Sequence, residues 1–295
     1  MVKAKPANKL DSPLFCLGVF KDYVIISMGG GGKQYGLINQ FKVYKREFPV
    51  KEAVYSKDLE ENLMSHFSFH NQGLNYMIAA VSKFVVLYSI EMSTGTLIEQ
   101  VRYEADYASD LPAVSKVKWS SDDQYIVSGG EDGTMRIFKV IYEGKDIHSL
   151  EQQIELGSHS RDINDVSINR SNQLAVSSSS DKTWRIYTIK DGKCIKRLSF
   201  SEDIGVENLQ FKGALFSPDE RYLYTLATKI KGKSYLIKWD AKSENFDPID
   251  TMEAHRNPSC IMNIDSSGSN IAIGTNDGHV IGINANKMSS YRIDK

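Results

Sequence analysis

The stretch Val117-Lys-Trp-Ser-Ser-Asp-Asp-Gln-Tyr-Ile-Val-Ser-Gly-Gly-Glu-Asp-Gly-Thr-Met-Arg-Ile-Phe138 decides the fold. It reads as strand, polar turn, strand, Gly/Asp turn, strand. Alternating apolar residues bounded by turn residues are what short antiparallel strands require, because successive side chains point to opposite faces of a sheet. The same order recurs downstream. Val166-Ser-Ile-Asn-Arg-Ser-Asn-Gln-Leu-Ala-Val-Ser177 runs into Ser180-Asp-Lys-Thr-Trp-Arg-Ile-Tyr187. Ala214-Leu-Phe-Ser-Pro-Asp-Glu-Arg-Tyr-Leu-Tyr224 runs into Tyr235-Leu-Ile-Lys-Trp-Asp240, and the stretch Met262 to Gly278 repeats the pattern again. The apolar residues just before the first turn are Trp119, Ile168, Phe216 and Ile264, spaced 49, 48 and 48 residues apart. About the same step backward reaches Phe69 and then Val19, so six units cover nearly the whole chain.

A period in the forties with Gly/Ser-Asp turns resembles the WD repeat, whose blades are four-stranded sheets set around a central channel. Asp132, Asp181 and Asp277 occupy the second turn, Trp239-Asp240 is a literal WD pair, and Phe138 and Tyr187 stand at the Trp position of their units. Gly157-Ser-His159 and Ala254-His255 stand where that family has Gly-His. The expectation is an all-β WD-repeat β-propeller. It forms a single domain over residues 1–295, with residues 1–11 a flexible tail and seven blades in the full-length protein. His159 and His255 are expected to be structural, each paired with a turn aspartate, since a buried imidazole needs a partner.

Composition narrows the function. The 295 residues are 41% hydrophobic and 25% charged, enough for a large core, and the formal net charge is −1. A nucleic-acid partner is not expected, because phosphate binding needs a basic excess. The short cluster Lys229, Lys231, Lys233 reads as a solvated loop. Cys16, Cys194 and Cys260 are far apart and form no CxxC pair, so neither a zinc site nor a disulfide framework is indicated. They fit a reducing compartment and read as small buried hydrophobes. No signal peptide opens the chain, and the longest apolar runs, Tyr23–Met28 and Phe84–Ile90, suit strands rather than a membrane helix. An enzyme is not expected: there is no HExxH or GxSxG, and Ser158-His159-Ser160 lies in a blade turn.

One unit breaks the pattern. Where the third unit turns at Gly129, ten residues after Trp119, the first unit carries Gly29-Gly30-Gly31-Gly32-Lys33-Gln34-Tyr35-Gly36-Leu37-Ile38-Asn39. Four successive glycines are costly to order, so such a loop stays mobile or is held by something. Backbone carbonyls of Gly29, Gly30, Gly31 and Gly32, with the Asn39 side-chain carbonyl, are a conceivable potassium cage. It is not a phosphate-binding P-loop, since no Ser/Thr follows Lys33 and the loop joins strand to strand. The apolar tail Leu37-Ile38 would be displayed to a partner.

Pro13-Leu-Phe-Cys-Leu17, the four-glycine run, and Gly36-Leu-Ile-Asn39 together resemble the endoplasmic-reticulum WD-repeat exchange factors for the Sar-type GTPase of the COPII coat, the prolactin regulatory element-binding protein family. Leu37 stands where that family has Ile, and the spacer Lys33-Gln34-Tyr35 is one residue shorter. The resemblance implies a guanine-nucleotide exchange factor that starts COPII vesicle assembly in ER-to-Golgi transport. It implies exchange contacts through Leu37 and Ile38, partner binding by Gly36, Leu37, Ile38 and Asn39, and potassium in the loop. It also implies a further repeat and a membrane anchor holding the protein at the cytosolic face of the endoplasmic reticulum. The alternative expectation is a WD-repeat protein-interaction scaffold without exchange activity.

Overall fold

The computed structural model describes residues 12–30, 36–47, 52–157, 159–199, 209–229 and 232–294. Twenty-four strands form six four-stranded antiparallel sheets, each a meander of consecutive strands, and the described residues contain no helix. The six blades span residues 14–60, 64–104, 114–156, 163–199, 209–255 and 259–294. Their first strands are Leu14–Phe20, Met64–Phe69, Val114–Trp119, Ile163–Ile168, Leu209–Phe216 and Ser259–Ile264. These lie side by side in sequence order around the centre. The chain is thus an all-β, six-bladed propeller. Five of the six periodic residues end a first strand, and Val19 sits one residue short of the end of its own. The proposed tail, residues 1–11, lies outside the described residues.

The blades stack through alternation. In the second blade Met77 and Ala79 pack towards the first blade, while Ile78 and Ala80 pack towards the third. A sheet buried on both faces needs apolar residues at both parities, which explains the nearly unbroken apolar runs of the second and third strands. Each buried cluster is shared by two consecutive blades: first with second, second with third, third with fourth, fourth with fifth, fifth with sixth. Bulky side chains of one blade enter space left by small residues of the blade before it. Phe67 and Phe69 fill the space beside Gly18, Ile163 and Val166 that beside Gly129, and Met262 that beside Gly213. Among the described residues no such cluster joins the sixth blade to the first.

The cysteine expectation is corrected. Cys16 is half-buried, and Cys194 and Cys260 are exposed. Cys194 begins the outermost strand of its blade, and Cys260 lies in the first strand of the sixth blade with its thiol beside the Asn276 side chain.

Candidate functional site

In an antiparallel meander, the turn between the second and third strands and the loop leading in from the previous blade lie at the same end of the sheet. This end of the ring therefore collects two connections per blade, and the backbone bond from His159 N–H to Gly133 carbonyl (2.9 Å) ties one kind to the other. Both families of sequence-predicted residues sit here.

The histidine–aspartate pairs form as expected in two blades. In the fourth, His159 Nδ1 meets Asp181 Oδ2 at 2.9 Å, and His159 Nε2 meets Ser177 Oγ at 2.7 Å. Thr183 Oγ1 also donates to Asp181, at 2.6 Å. Burial alone would raise the Asp181 carboxyl, but the bonds from His159 and Thr183 outweigh it and hold the group well below the usual carboxylate range. Burial lowers His159 in spite of Asp181. Asp181, His159 and Ser177 have the connectivity of a hydrolytic triad, yet Ser177 is wholly buried, so no substrate carbonyl can reach its oxygen. In the sixth blade His255 Nε2 lies 3.2 Å from Asp277 Oδ2. The residue matching Thr183 there is His279, with Nδ1 3.1 Å from Asp277 Oδ1. His255, Asp277 and His279 are the one group of three potential metal ligands among the described residues. Asp277 also accepts from Thr275 Oγ1 (2.6 Å) and Asn257 Nδ2 (2.7 Å), while His279 Nδ1 is buried without a hydrogen bond.

The third blade departs from the pairing pattern. Asp132 has no histidine partner and instead binds Arg136 at 2.8 Å. Asp106 occupies the position that His159 holds one blade later. It is fully buried and accepts from the N–H groups of Ala108 (3.1 Å), Ala113 (3.2 Å) and Asp132 (3.0 Å). Burial pushes its carboxyl up, against the pull of those N–H groups. The bonds fix the loop 105–113 over the blade end. Arg136, buried and bound to Asp132, Glu155 (2.9 Å) and the Ala105 carbonyl (2.8 Å), lies 4.9 Å from the centre of the Tyr107 ring. The loop so held displays Tyr107 at 56% exposure and Leu111 at 88%. The sequence reading missed both: neither follows the strand period, and the residue that fixes them bonds to backbone groups that leave no mark in a sequence.

In the first-blade loop, Asn39 is buried, accepts from Gly30 N–H through Oδ1 (3.3 Å) and donates from Nδ2 to the Glu60 carbonyl (3.2 Å). Its carbonyl oxygen is thus engaged by a donor within the loop. Leu37 folds back against Gly30, while Ile38 points outward at 45% exposure, and Gly36 has a left-handed φ of 72°. Gly31 and Gly32, needed for a potassium cage, lie outside the described residues.

The sequence profile of the family described as "WD domain, G-beta repeat" matches residues 107–139 and 150–188. The blade architecture and these repeats define a WD-repeat β-propeller. Pre-mRNA-processing factor 19 of Oryza sativa subsp. japonica is 27% identical over 167 residues, which is 56% of this chain and 29% of that protein. Protein ROOT INITIATION DEFECTIVE 3 of Arabidopsis thaliana is 26% identical over 153 residues, 50% of this chain and 33% of that protein. THO complex subunit 3 of Arabidopsis thaliana is 23% identical over 210 residues, 60% of this chain and 65% of that protein. The chain spans a third or less of the first two relatives. These findings overturn the expectation of a Sar-type exchange factor of the COPII coat. That reading rested on a short glycine-rich stretch of one blade, whereas the relatives found are WD-repeat proteins whose names include a pre-mRNA-processing factor and a THO complex subunit. They agree with the alternative expectation, an interaction scaffold. The endoplasmic-reticulum placement drew on the same resemblance alone. No helix of the described residues is long and apolar enough to cross a membrane.

Three imidazoles, two buried and one half-buried, make stability depend on pH. Burial lowers the pKa of His66, His70 and His159, with Lys116 and Lys118 adding to the effect at His66 and Asp123 opposing it at His70. With folded values below the unfolded value of about 6.5, the unfolded chain takes up protons first as pH falls. Their contribution is complete above 6.5 and is lost as pH drops through 6.5 towards the folded values. Asp106 and Glu131, raised by burial, act oppositely in a window just above their unfolded values. The urea midpoint is expected to be lower at pH 5.5 than at pH 7.5, and His159→Gln is expected to shrink that difference. An equal difference in the variant would remove His159 from the account.

Proposed function

We propose that the chain is a protein-interaction scaffold. Its partner seats on the loop end of the propeller, with Tyr107 and Leu111 as anchors and Ile38 of the first-blade loop as a further contact. The observation that carries this reading is the loop 105–113: two large apolar side chains stand in solvent on a backbone fixed by a buried carboxylate. A pre-ordered aromatic loses little entropy on binding, which is the usual character of an interface hot spot. A net charge of −1 favours a protein over a nucleic acid as partner. The names of the relatives, a pre-mRNA-processing factor and a subunit of the THO complex, support work inside a multi-protein assembly.

The test compares proteins retained from cell extract by wild type, by Tyr107→Ala/Leu111→Asp, and by Ile38→Asp, each quantified by mass spectrometry. The double variant is expected to lose its specific partners by about tenfold or more, a loss of at least about 1.4 kcal/mol. Its melting temperature should stay within a degree or two, because exposed side chains add little to the core. Equal retention by wild type and double variant would refute the anchors.

A further inference from the structure

The sixth blade keeps the turn frame of the fourth but changes two of its side chains. His159, Asp181 and Thr183 correspond, two units on, to His255, Asp277 and His279, and Ser177 corresponds to Ile273. In the fourth blade both nitrogens of His159 are taken, one by Asp181 and the other by Ser177. In the sixth, Ile273 offers no hydroxyl, and a second imidazole stands in place of the threonine. Two imidazoles therefore face one carboxylate. Asp277 Oδ1 stands 3.3 Å from His255 Nε2 and 3.1 Å from His279 Nδ1. Close as it is, His279 Nδ1 makes no hydrogen bond there, although it is buried. A buried nitrogen left without a partner is costly unless something else takes its lone pair.

We propose that His255, Asp277 and His279 form a binding site for a divalent transition-metal ion of the zinc class, with water completing the shell. The site is independent of the scaffold reading. A tetrahedral ion held about 2.0 to 2.1 Å from each donor spaces its ligands about 3.3 Å apart. Both separations at Asp277 Oδ1 already fit that edge, and the three donor atoms lie within 4.8 Å of one another. Seating the ion needs only a modest approach of the two rings, whose centres are 5.4 Å apart. The carboxylate is prepared for the task. Thr275 Oγ1 donates to its Oδ1 at 2.6 Å and Asn257 Nδ2 to its Oδ2 at 2.7 Å. These bonds hold the Asp277 carboxyl well below the usual carboxylate range, so it is an anion wherever the imidazoles are neutral, the state that metal binding requires. Such outer donors also fix how a ligating carboxylate points. The turn is closed by its own backbone: Thr275 N–H donates to the His279 carbonyl at 3.0 Å, and His279 N–H to Thr275 Oγ1 at 2.9 Å. Two imidazoles beside one carboxylate select a zinc-like ion over magnesium or calcium, which take oxygen donors.

The probe is Zn2+ alone, titrated by calorimetry into the chain freed of any histidine tag and stripped of metal with a chelator. One ion per chain is expected, with a Kd of about 1 µM or below. Mg2+ and Ca2+ should not compete at about a thousandfold excess. His279→Thr, which restores the fourth-blade arrangement, and His255→Gln should each weaken binding by about fiftyfold or more. Circular dichroism without zinc checks that both variants fold. In the wild type, zinc should slow amide exchange in residues 255–258 and 275–279 by about tenfold. Co2+ in place of Zn2+ should show the visible bands of a nitrogen- and oxygen-bound ion and no thiolate charge-transfer band, which separates this site from Cys194 and Cys260. Three results would overturn the proposal: no binding of Zn2+ by the wild type at about 100 µM, unchanged affinity in either folded histidine variant, or a thiolate band that Cys260→Ser or Cys194→Ser removes together with the binding. None of these bears on Tyr107 and Leu111, whose partner capture tests the scaffold reading separately.

Discussion

Trp239→Ala destabilises the protein by about 3 to 5 kcal/mol, the range for removing a large buried aromatic. Trp239 is almost wholly buried at the junction of the fourth and fifth blades, its ring 4.9 Å from that of Trp184 in an edge-to-face contact. Its indole N–H donates to Thr225 Oγ1 at 2.9 Å. Truncation opens a cavity between two rigid sheets that cannot easily collapse, because each is held by its own ladder and by the blade beyond. Trp239→Phe keeps most of the packing and loses the bond to Thr225, so a loss of about 1 to 2 kcal/mol is expected. Urea unfolding followed by circular dichroism measures both. A loss below about 1 kcal/mol for Trp239→Ala would mean that the two blades do not pack as described.

The second large effect is at Asp106. Asp106→Ala removes the acceptor of three backbone N–H groups at once, and about 2 to 4 kcal/mol is expected, since an unsatisfied buried donor costs about 1 to 3 kcal/mol and water reaches part of the opened site. The binding surface should fail with it: amide exchange in residues 105–113 accelerates, and retention of partners falls as in the Tyr107→Ala/Leu111→Asp variant. Asp106→Asn keeps one oxygen for Ala108 and Ala113 but turns a donor towards the Asp132 N–H, so it should recover only part of the loss. If Asp106→Ala matched wild type in both stability and loop exchange, the loop would be held by something other than this carboxylate.

The repeat was legible because it is written in side chains. Trp119, Ile168, Phe216 and Ile264 each close a first strand, so hydrophobic spacing alone locates the blades. The pairing of His159 with Asp181 was legible for the same reason: both partners are side chains at recurring positions. Asp106 was not. An aspartate in a polar connection reads as a turn residue, and its partners are backbone groups of Ala108, Ala113 and Asp132 that any sequence possesses. Asp132, for which the sequence offers no histidine, takes Arg136 four residues on. The glycine run drew attention through its composition, yet composition says little about contacts. Asn39 braces the loop internally, and of the pair Leu37-Ile38 expected on display, Ile38 is exposed while Leu37 is half-buried beside Gly30.

The five shared cores have a consequence for how the chain folds and fails. With neighbours coupled in a row and, among the described residues, no shared core joining the sixth blade to the first, the energetics of these six blades are those of a one-dimensional array and not of a closed loop. The interior blades gain from two interfaces and the terminal blades from one. Unfolding should therefore begin as fraying at the ends, while the fourth and fifth blades, joined through Trp184 and Trp239, melt late. Folding should run the other way, nucleating in the middle and spreading outward one blade at a time. Any ligand that bridges the two ends would turn a sequential transition into a concerted one, visible as a steeper denaturation curve before any change in its midpoint.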